Sequence, residues 1–331
     1  MTTERWLIVG CGYVGSQVAL LARQSGHIVY ALTRSKSRFG ELQSLGIEPC
    51  LGHWLEPNGL SQLPAVDRIL VSVPHRADDA WAASAPRTEL STADRAATDH
   101  TTTNDASAIN SATAELIPDT AERTHVAGLQ NLYHSIPNGW QKLLYLSTTG
   151  VYGNSSTEWI DEDTPVSPQR IGPRIAVAAE QWLNHAHSQS NGQTQGGHCI
   201  LRLAGIYGPD RIPLAERLRS GQPLAVPRQG HLNLVHVSDI AHMVCLLLTR
   251  QMQRSTYLLS DGQPVLRDTF YRYLAELCGV AQPQFVQPDA QSGKARRATD
   301  KRISPARLLA ETGYRLQFPD YRSGLANALA K

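Results

Sequence analysis

Three glycines near the start of the chain constrain its fold more than any other feature. They follow an unbroken apolar run, Trp6-Leu7-Ile8-Val9, and stand in the order Gly10-x-Gly12-x-x-Gly15. A short run that is apolar at every position reads as a strand buried on both faces. Ser16 to Gln24 then reads as a helix that stops at Gly26. Each glycine has its own task. Gly10 permits a tight turn out of the strand, Gly12 bares the backbone to a pyrophosphate, and Gly15 lets the helix pack closely on the strand. The free N–H groups over Cys11, Gly12, Tyr13 and Val14 would face the phosphates, with about 0.3–1 kcal/mol from the helix dipole alone. A glycine-rich turn without a ligand is the bland alternative, and the strand–turn–helix context weighs against it.

The second strand spans His27 to Leu32 and ends in Thr33-Arg34-Ser35-Lys36. At this distance past the glycines, an NAD-binding protein usually places Asp or Glu on the ribose hydroxyls. Here Arg34 stands instead, with Lys36 and Arg38 behind it. A cationic cluster suits the 2′-phosphate of NADP and favours it over NAD, with Thr33, Arg34 and Ser35 as the contacts. One charged hydrogen bond contributes ~1.5–3 kcal/mol, and ~1.4 kcal/mol is tenfold in affinity. A solvated basic loop is the alternative.

Helix and strand patterns then alternate. A short helix covers Phe39 to Leu45, a third strand Gly46 to Leu51, and a fourth Asp67 to Val73, which ends in Pro74-His75. Alternation of this kind predicts an α/β fold, a doubly wound parallel sheet with helices on both faces. Val73 and Pro74 fall at the carboxyl edge, where ligands bind in open sheets. From 76 to 121 the chain is dense in Ala, Thr, Ser and Asp and reads as a flexible surface insertion. Its Asp78, Asp79, Asp94, His100 and Asp105 match no metal spacing, so no metal is expected. A helix from Glu122 to Ile136, a fifth strand from Leu143 to Leu146, a helix from Arg174 to His187 and a sixth strand from Cys199 to Ala204 follow. A carboxylate-rich loop (Glu158, Asp161, Glu162, Asp163) and a loose stretch at 188–197 connect them. Ser238-Asp239 reads as a cap on the apolar helix Ile240 to Leu248, Thr256 to Leu259 as a last strand, and Leu266 to Leu277 as a helix.

With 331 residues, 41% of them hydrophobic, the chain can bury one or two sizeable cores. A net charge of +2 gives no field for nucleic acid. No apolar run approaches the ~18 residues that span a membrane. The five scattered cysteines and the absence of a signal-peptide pattern point to a reduced, cytoplasmic protein.

Several blocks recur in one known order: Leu146-Ser147-Thr148-Thr149-Gly150-Val151-Tyr152-Gly153, Leu201-Arg202-Leu203-Ala204-Gly205-Ile206-Tyr207-Gly208-Pro209, Asn233-Leu234-Val235-His236-Val237-Ser238-Asp239, Leu259-Ser260-Asp261-Gly262, and Arg302-Ile303-Ser304-Pro305. With the glycine motif, they make the chain resemble the extended short-chain dehydrogenase/reductases, the group of nucleotide-sugar epimerases and dehydratases. The resemblance implies a Rossmann domain over 4–205 (with the 76–121 insertion) continued by 233–260. It implies a smaller C-terminal substrate lobe from 206–232 and 261–328. It also implies a small-molecule substrate, and it is compatible with a homodimer through the helices at 122–136 and 174–187.

In that family the S-x-x-V-Y-G block carries a catalytic Ser or Thr, here Thr148, whose hydroxyl holds the reacting oxygen. A strand-ending polar residue is the equal alternative. The family's Tyr/Lys acid–base pair would fall at Gly172 and Ala176, so both members are absent. This loss and the G-x-G-x-x-G loop resemble an atypical subgroup. Its replacements would be Arg170 and Arg174 as charge stabilisers and Tyr207 or His75 as proton carriers. His236 and Asp239 read as structural. Two functions remain open: an NAD(P)-dependent oxidoreductase or epimerase-like enzyme, and a dinucleotide-binding sensor that has lost catalysis.

Overall fold

A computed structural model describes residues 2–75, 123–136, 140–153, 159–189, 196–287 and 300–330. The expected insertion at 76–121, Glu158 and most of the 188–197 connection lie outside the described residues.

Strand β1 (Arg5–Val9) leads to helix α1 (Tyr13–Gln24), β2 (Ile28–Thr33), α2 (Phe39–Ser44), β3 (Glu48–Leu51) and β4 (Arg68–Val71). Helix α3 (Arg123–Ser135), β5 (Lys142–Thr148), the two-residue β6 (Trp159–Ile160), α4 (Ile171–Gln189) and β7 (Gly197–Leu203) follow. The remainder supplies β8 (Gly205–Tyr207), α5 (Ala215–Arg219), β9 (His231–Leu232), β10 (Leu234–His236), α6 (Val237–Thr249), β11 (Thr256–Leu259), β12 (Val265–Leu266), α7 (Arg267–Cys278), β13 (Arg302–Ile303), α8 (Ala306–Thr312) and α9 (Tyr321–Leu329).

The central sheet has seven strands in the order β3-β2-β1-β4-β5-β7-β11. Every pairing in it is parallel. The order reverses direction between β1 and β4, which opens a crevice at the carboxyl ends of those strands.

Alternation along the strands divides the core. On β1, Trp6 and Ile8 face α1 and α6, where Val18, Ala22, Ile240 and Val244 pack. Leu7 and Val9 face α3 and α4, where Val126, Leu129, Leu132 and Leu183 pack. Both sides are apolar, as a strand covered on two faces requires. Each fully buried Leu, Ile or Val stabilises by about 1.5–3 kcal/mol. A separate cluster joins Tyr207, Leu218, Phe270, Tyr271, Leu274, Tyr321 and Leu325 in the carboxyl-terminal part of the chain.

The start of α6 differs from expectation. Its N-cap is His236, whose Nδ1 accepts from the Ser238 N–H at 3.3 Å. Asp239 is buried in the first turn. Its carboxylate accepts from the Tyr314 hydroxyl at 2.8 Å and from the backbone of Gln317 and Phe318 at 2.7 and 3.1 Å. Both residues are structural, but the cap lies two residues earlier than the Ser238-Asp239 pair. A β-region backbone at 236 places its ring, not a serine oxygen, over the first free N–H groups.

Candidate functional site

The carboxyl ends of β1, β2, β4, β5 and β7 border one cleft of about 720 Å³. Gly10, Cys11, Gly12, Tyr13 and Val14 line it, together with Thr33, Arg34, Ser35, Val73, Pro74, His75 and Thr148. Gly15 lies beneath that lining.

The three glycines divide their work as the motif requires. Gly10 has φ +90°, and a Cβ there would sit 2.6 Å from the Ser72 carbonyl oxygen. A Cβ on Gly15 would sit 2.5 Å from the Gly10 oxygen, so α1 is pressed onto the turn. At Gly12 a Cβ would meet nothing within 4 Å. Space is left on the cleft side of that residue, at the start of a helix with no side-chain cap and no acidic residue in its first turn. An uncapped helix start at the cleft, with bare backbone before it, fits a diphosphate.

At the end of β2, Arg34 and Ser35 are exposed at the cleft, and Lys36 is not part of its lining. Ser35 Oγ accepts from the Ser37 N–H at 3.2 Å and so shapes the turn. Arg38 donates to the Cys11 carbonyl at 2.8 Å and pairs with Glu41 at 3.1 Å, which ties the glycine loop to α2. Burial pushes the Cys11 thiol up to about 11, so it stays protonated at neutral pH.

Thr148 ends β5 with its side chain at the cleft. Its Oγ1 accepts from the Gly150 N–H at 3.0 Å, which leaves its hydroxyl proton to donate. The turn it starts is braced from below. Arg202 meets Glu180 at 2.7 Å and the Tyr152 hydroxyl at 2.7 Å, while Ser147 Oγ donates to Glu180 at 2.5 Å. Lys301 reaches in from the distant carboxyl-terminal segment and donates to the Thr149 carbonyl at 2.7 Å. Burial lowers that ammonium to about 8.

At the expected place of the Tyr/Lys pair the space is filled. A Cβ on Gly172 would lie 2.8 Å from the His75 carbonyl oxygen, so the end of β4 stands against the first turn of α4. Ala176 is buried in a small apolar cluster with Val151, Tyr152 and Ile303. His75 itself lines the cleft, and its Nε2 hydrogen-bonds the buried hydroxyl of Tyr145 at 2.8 Å.

Three residues expected to take part in the chemistry, Tyr207, Arg170 and Arg174, are not part of the cleft lining. Tyr207 is fully buried, and its hydroxyl donates to the Asp320 carbonyl at 3.3 Å. Burial raises that phenol far above its ordinary range. Its neighbour Ile206 faces the cleft, and successive side chains on a strand point to opposite sides. Arg174 is exposed on α4 and is not part of the lining. It sits two residues beyond Gly172, on the other side of the helix. These placements lend no support to Tyr207 as a proton carrier or to Arg170 and Arg174 as charge stabilisers.

Residues the motifs did not single out also meet here. Arg211 lines the cleft and stacks over the Tyr13 ring at 5.2 Å, while the Tyr13 hydroxyl donates to the Pro209 carbonyl at 2.8 Å. Tyr145 and His125 stand behind His75. In the sequence they are single polar-tipped residues on apolar faces, with no local signal. Among the described residues no group of three or more His, Cys, Asp or Glu is placed to hold a metal ion. No described helix is long and apolar enough to cross a membrane.

The model of the NAD dependent epimerase/dehydratase family matches residues 6–259. The chain belongs to that family. The resemblance read from the motif blocks, an atypical extended short-chain dehydrogenase/reductase, agrees with it. Protein YeeZ of Escherichia coli strain K12 is 32% identical over 189 residues, which cover 57% of this chain and 61% of that protein. The match therefore spans less than two thirds of that relative. Among solved structures, the Bordetella bronchiseptica enzyme WbmG in complex with NAD and UDP superposes with a TM-score of 0.70 at 18% identity, covering 99% of this chain and 94% of that one. The UDP-glucose 4-epimerase of Thermotoga maritima with UDP-glucose gives 0.70 at 15% identity, covering 98% and 97%. At such identities the likeness concerns the fold, and the seven-stranded parallel sheet is that of the family.

Proposed function

We propose that this chain is a nicotinamide-dinucleotide-dependent oxidoreductase or epimerase-like enzyme acting on a hydroxyl or carbonyl of a small substrate, a nucleotide sugar being the favoured class. The observation that carries the reading is the uncapped start of α1 at the cleft, with space over Gly12 and with Thr148 and His75 lining the same cleft. Cys11 to Val14 would hold the diphosphate. Arg34, Ser35 and the guanidinium of Arg38 would meet a 2′-phosphate, which favours NADP over NAD. Val73 and Pro74 would border the dinucleotide, and Arg211, stacked over the Tyr13 ring, adds a positive charge to the same cleft. A bound nicotinamide would supply the hydride acceptor or donor. Thr148 orients the reacting oxygen by donating its free hydroxyl proton, since its lone pair already holds the Gly150 N–H. The nucleotide-sugar class is drawn from the UDP and UDP-glucose named for the two enzymes of like fold. The cluster around Phe270 and Tyr321 would form the substrate lobe of 206–232 and 261–328.

A second reading, a dinucleotide-binding regulator without turnover, rests on Gly172 and Ala176, where the family's acid–base pair is missing. Titration calorimetry with NADP and NAD, followed by nicotinamide absorbance with a panel of sugar nucleotides and carbonyl compounds, separates the two. Turnover supports the enzyme; tight binding with no turnover across the panel supports the regulator. Absence of binding to either dinucleotide refutes both.

A further inference from the structure

The hydrogen bonds behind His75 fix where its protons sit. Tyr145 on β5 takes His75 Nε2 at 2.8 Å and His125 Nδ1, from α3, at 2.9 Å on the same hydroxyl. The two imidazoles stack with centroids 4.7 Å apart. His125 Nε2 faces the Pro74 carbonyl at 3.3 Å. A carbonyl can only accept, so that nitrogen carries a proton. A neutral imidazole then has its other nitrogen bare, and His125 Nδ1 accepts the proton of Tyr145. Tyr145 has no second proton to give, so its oxygen accepts from His75 Nε2. His75 Nδ1 is left with its lone pair, on a residue that lines the cleft. Burial holds His75 down to about 4 and, with His75 alongside, keeps His125 well below the usual range, so both rings are neutral at pH 7. Glu180, already engaged with Arg202, is the other ionisable group acting on Tyr145.

We propose that His75, Tyr145 and His125 form a proton relay that replaces the missing Tyr/Lys pair, with His75 Nδ1 as the base for a substrate hydroxyl. The proposal rests on the oxidoreductase reading above. As the alcohol O–H bond breaks, its proton bonds to His75 Nδ1. The Nε2 proton of His75 passes to the Tyr145 oxygen, and the Tyr145 proton passes to His125 Nδ1. The hydride on the same substrate carbon leaves, with its electron pair, to an oxidised nicotinamide dinucleotide. The substrate becomes a carbonyl, and the positive charge is shared along the relay, at whose inner end His125 Nε2–H faces the Pro74 oxygen. Reduction runs the same path in reverse. The diphosphate of a bound dinucleotide brings negative charge into the cleft and favours the charged form of the relay.

The test uses the full chain labelled with ¹⁵N-histidine, without cofactor. Both rings are expected as the Nε2–H form at pH 7. Tyr145→Phe keeps the ring and removes the bridge, so the nitrogen signals of both histidines should move together while NADP binding by calorimetry is unchanged. In turnover, Tyr145→Phe should lower kcat at constant KM and change the pH profile. His75→Gln should lower kcat ~10²-fold or more. An Nδ1–H form of His75, or a Tyr145→Phe variant with the wild-type pH profile, overturns the relay. Wild-type protein that binds no dinucleotide overturns the oxidoreductase reading instead, and the nitrogen signals still decide the hydrogen-bond chain. Should Tyr145→Phe fail to fold, the wild-type tautomers and His75→Gln carry the test.

Discussion

Replacing Gly12 with valine should abolish dinucleotide binding and leave the fold intact. The backbone at Gly12 has φ −97°, outside the left-handed region that demands glycine. Its N–H already bonds the Gly10 oxygen and its carbonyl accepts from Ser16, both at 2.8 Å. An added side chain disturbs neither bond and meets no atom within 4 Å at its Cβ. The cost to stability should stay within ~1 kcal/mol, the scale of a helix N-cap substitution. The cost to binding is larger. Branched methyl groups would occupy the space over the loop and hold a diphosphate off the backbone donors. A charge-assisted hydrogen bond contributes ~1.5–3 kcal/mol. Loss of two such bonds lowers affinity roughly 10²- to 10⁴-fold. Gly10→Ala and Gly15→Ala serve as controls, because their Cβ atoms would collide with backbone oxygens at 2.6 and 2.5 Å. Overlap of this kind typically costs ~1–3 kcal/mol, so these two variants should melt earlier. The assay is calorimetric titration with NADP beside thermal denaturation for all three. If Gly12→Val binds NADP as the wild type does, the loop does not hold the diphosphate and the reasoning fails.

Arg34→Glu should exchange dinucleotide preference, with the ratio of NADP to NAD affinity falling at least ~10-fold; equal titration curves before and after would remove Arg34 from the 2′-phosphate. Tyr207→Phe should leave dinucleotide binding and turnover unchanged and lower stability by ~1 kcal/mol, because it loses only the bond to Asp320; a large fall in kcat would restore Tyr207 to the chemistry. Asp261 is buried with one oxygen unpartnered, and burial raises its carboxyl to about 7. Between pH ~4 and ~7 the folded chain then keeps a proton that the unfolded chain has released, so this group makes stability fall as pH rises through that window. Asp261→Asn should remove the fall and gain up to ~4 kcal/mol at pH 8 relative to the wild type, read from urea denaturation at a series of pH values; parallel profiles would sink the assignment.

What could be read from the sequence follows from how local each feature is. The glycine loop is a single strand–turn–helix, and the motif that marks it lies within Trp6 to Gln24. Alternating patterns sufficed for the seven-stranded sheet for the same reason, since each strand signals its own burial. Boundaries slipped where the pattern continues past the hydrogen bonds: Gly46 and Ile47 look extended but precede β3, and α4 begins at Ile171, ahead of the expected Arg174. The burial of Tyr207 was not legible, because a motif locates the backbone and not the direction of a ring. One step along β8 separates the cleft from the buried cluster.

Tertiary placement decided the rest. In the chain, Gly172 and Ala176 look only like deletions of function. In the fold, the missing side chain at Gly172 is the condition for His75 to approach α4, since any Cβ there would press on the His75 carbonyl at 2.8 Å. The absence of a side chain at Gly172 and the close approach of the His75 backbone are therefore coupled. That coupling makes a reversion informative. Restoring tyrosine at 172 and lysine at 176 should not recover the family's acid–base pair, because the tyrosine would displace His75 and the lysine would enter the apolar cluster of Val151 and Ile303. A positioned acid/base contributes ~10²–10⁴ in rate. A double reversion that raised kcat would show that the place at Gly172 is vacant and not taken over.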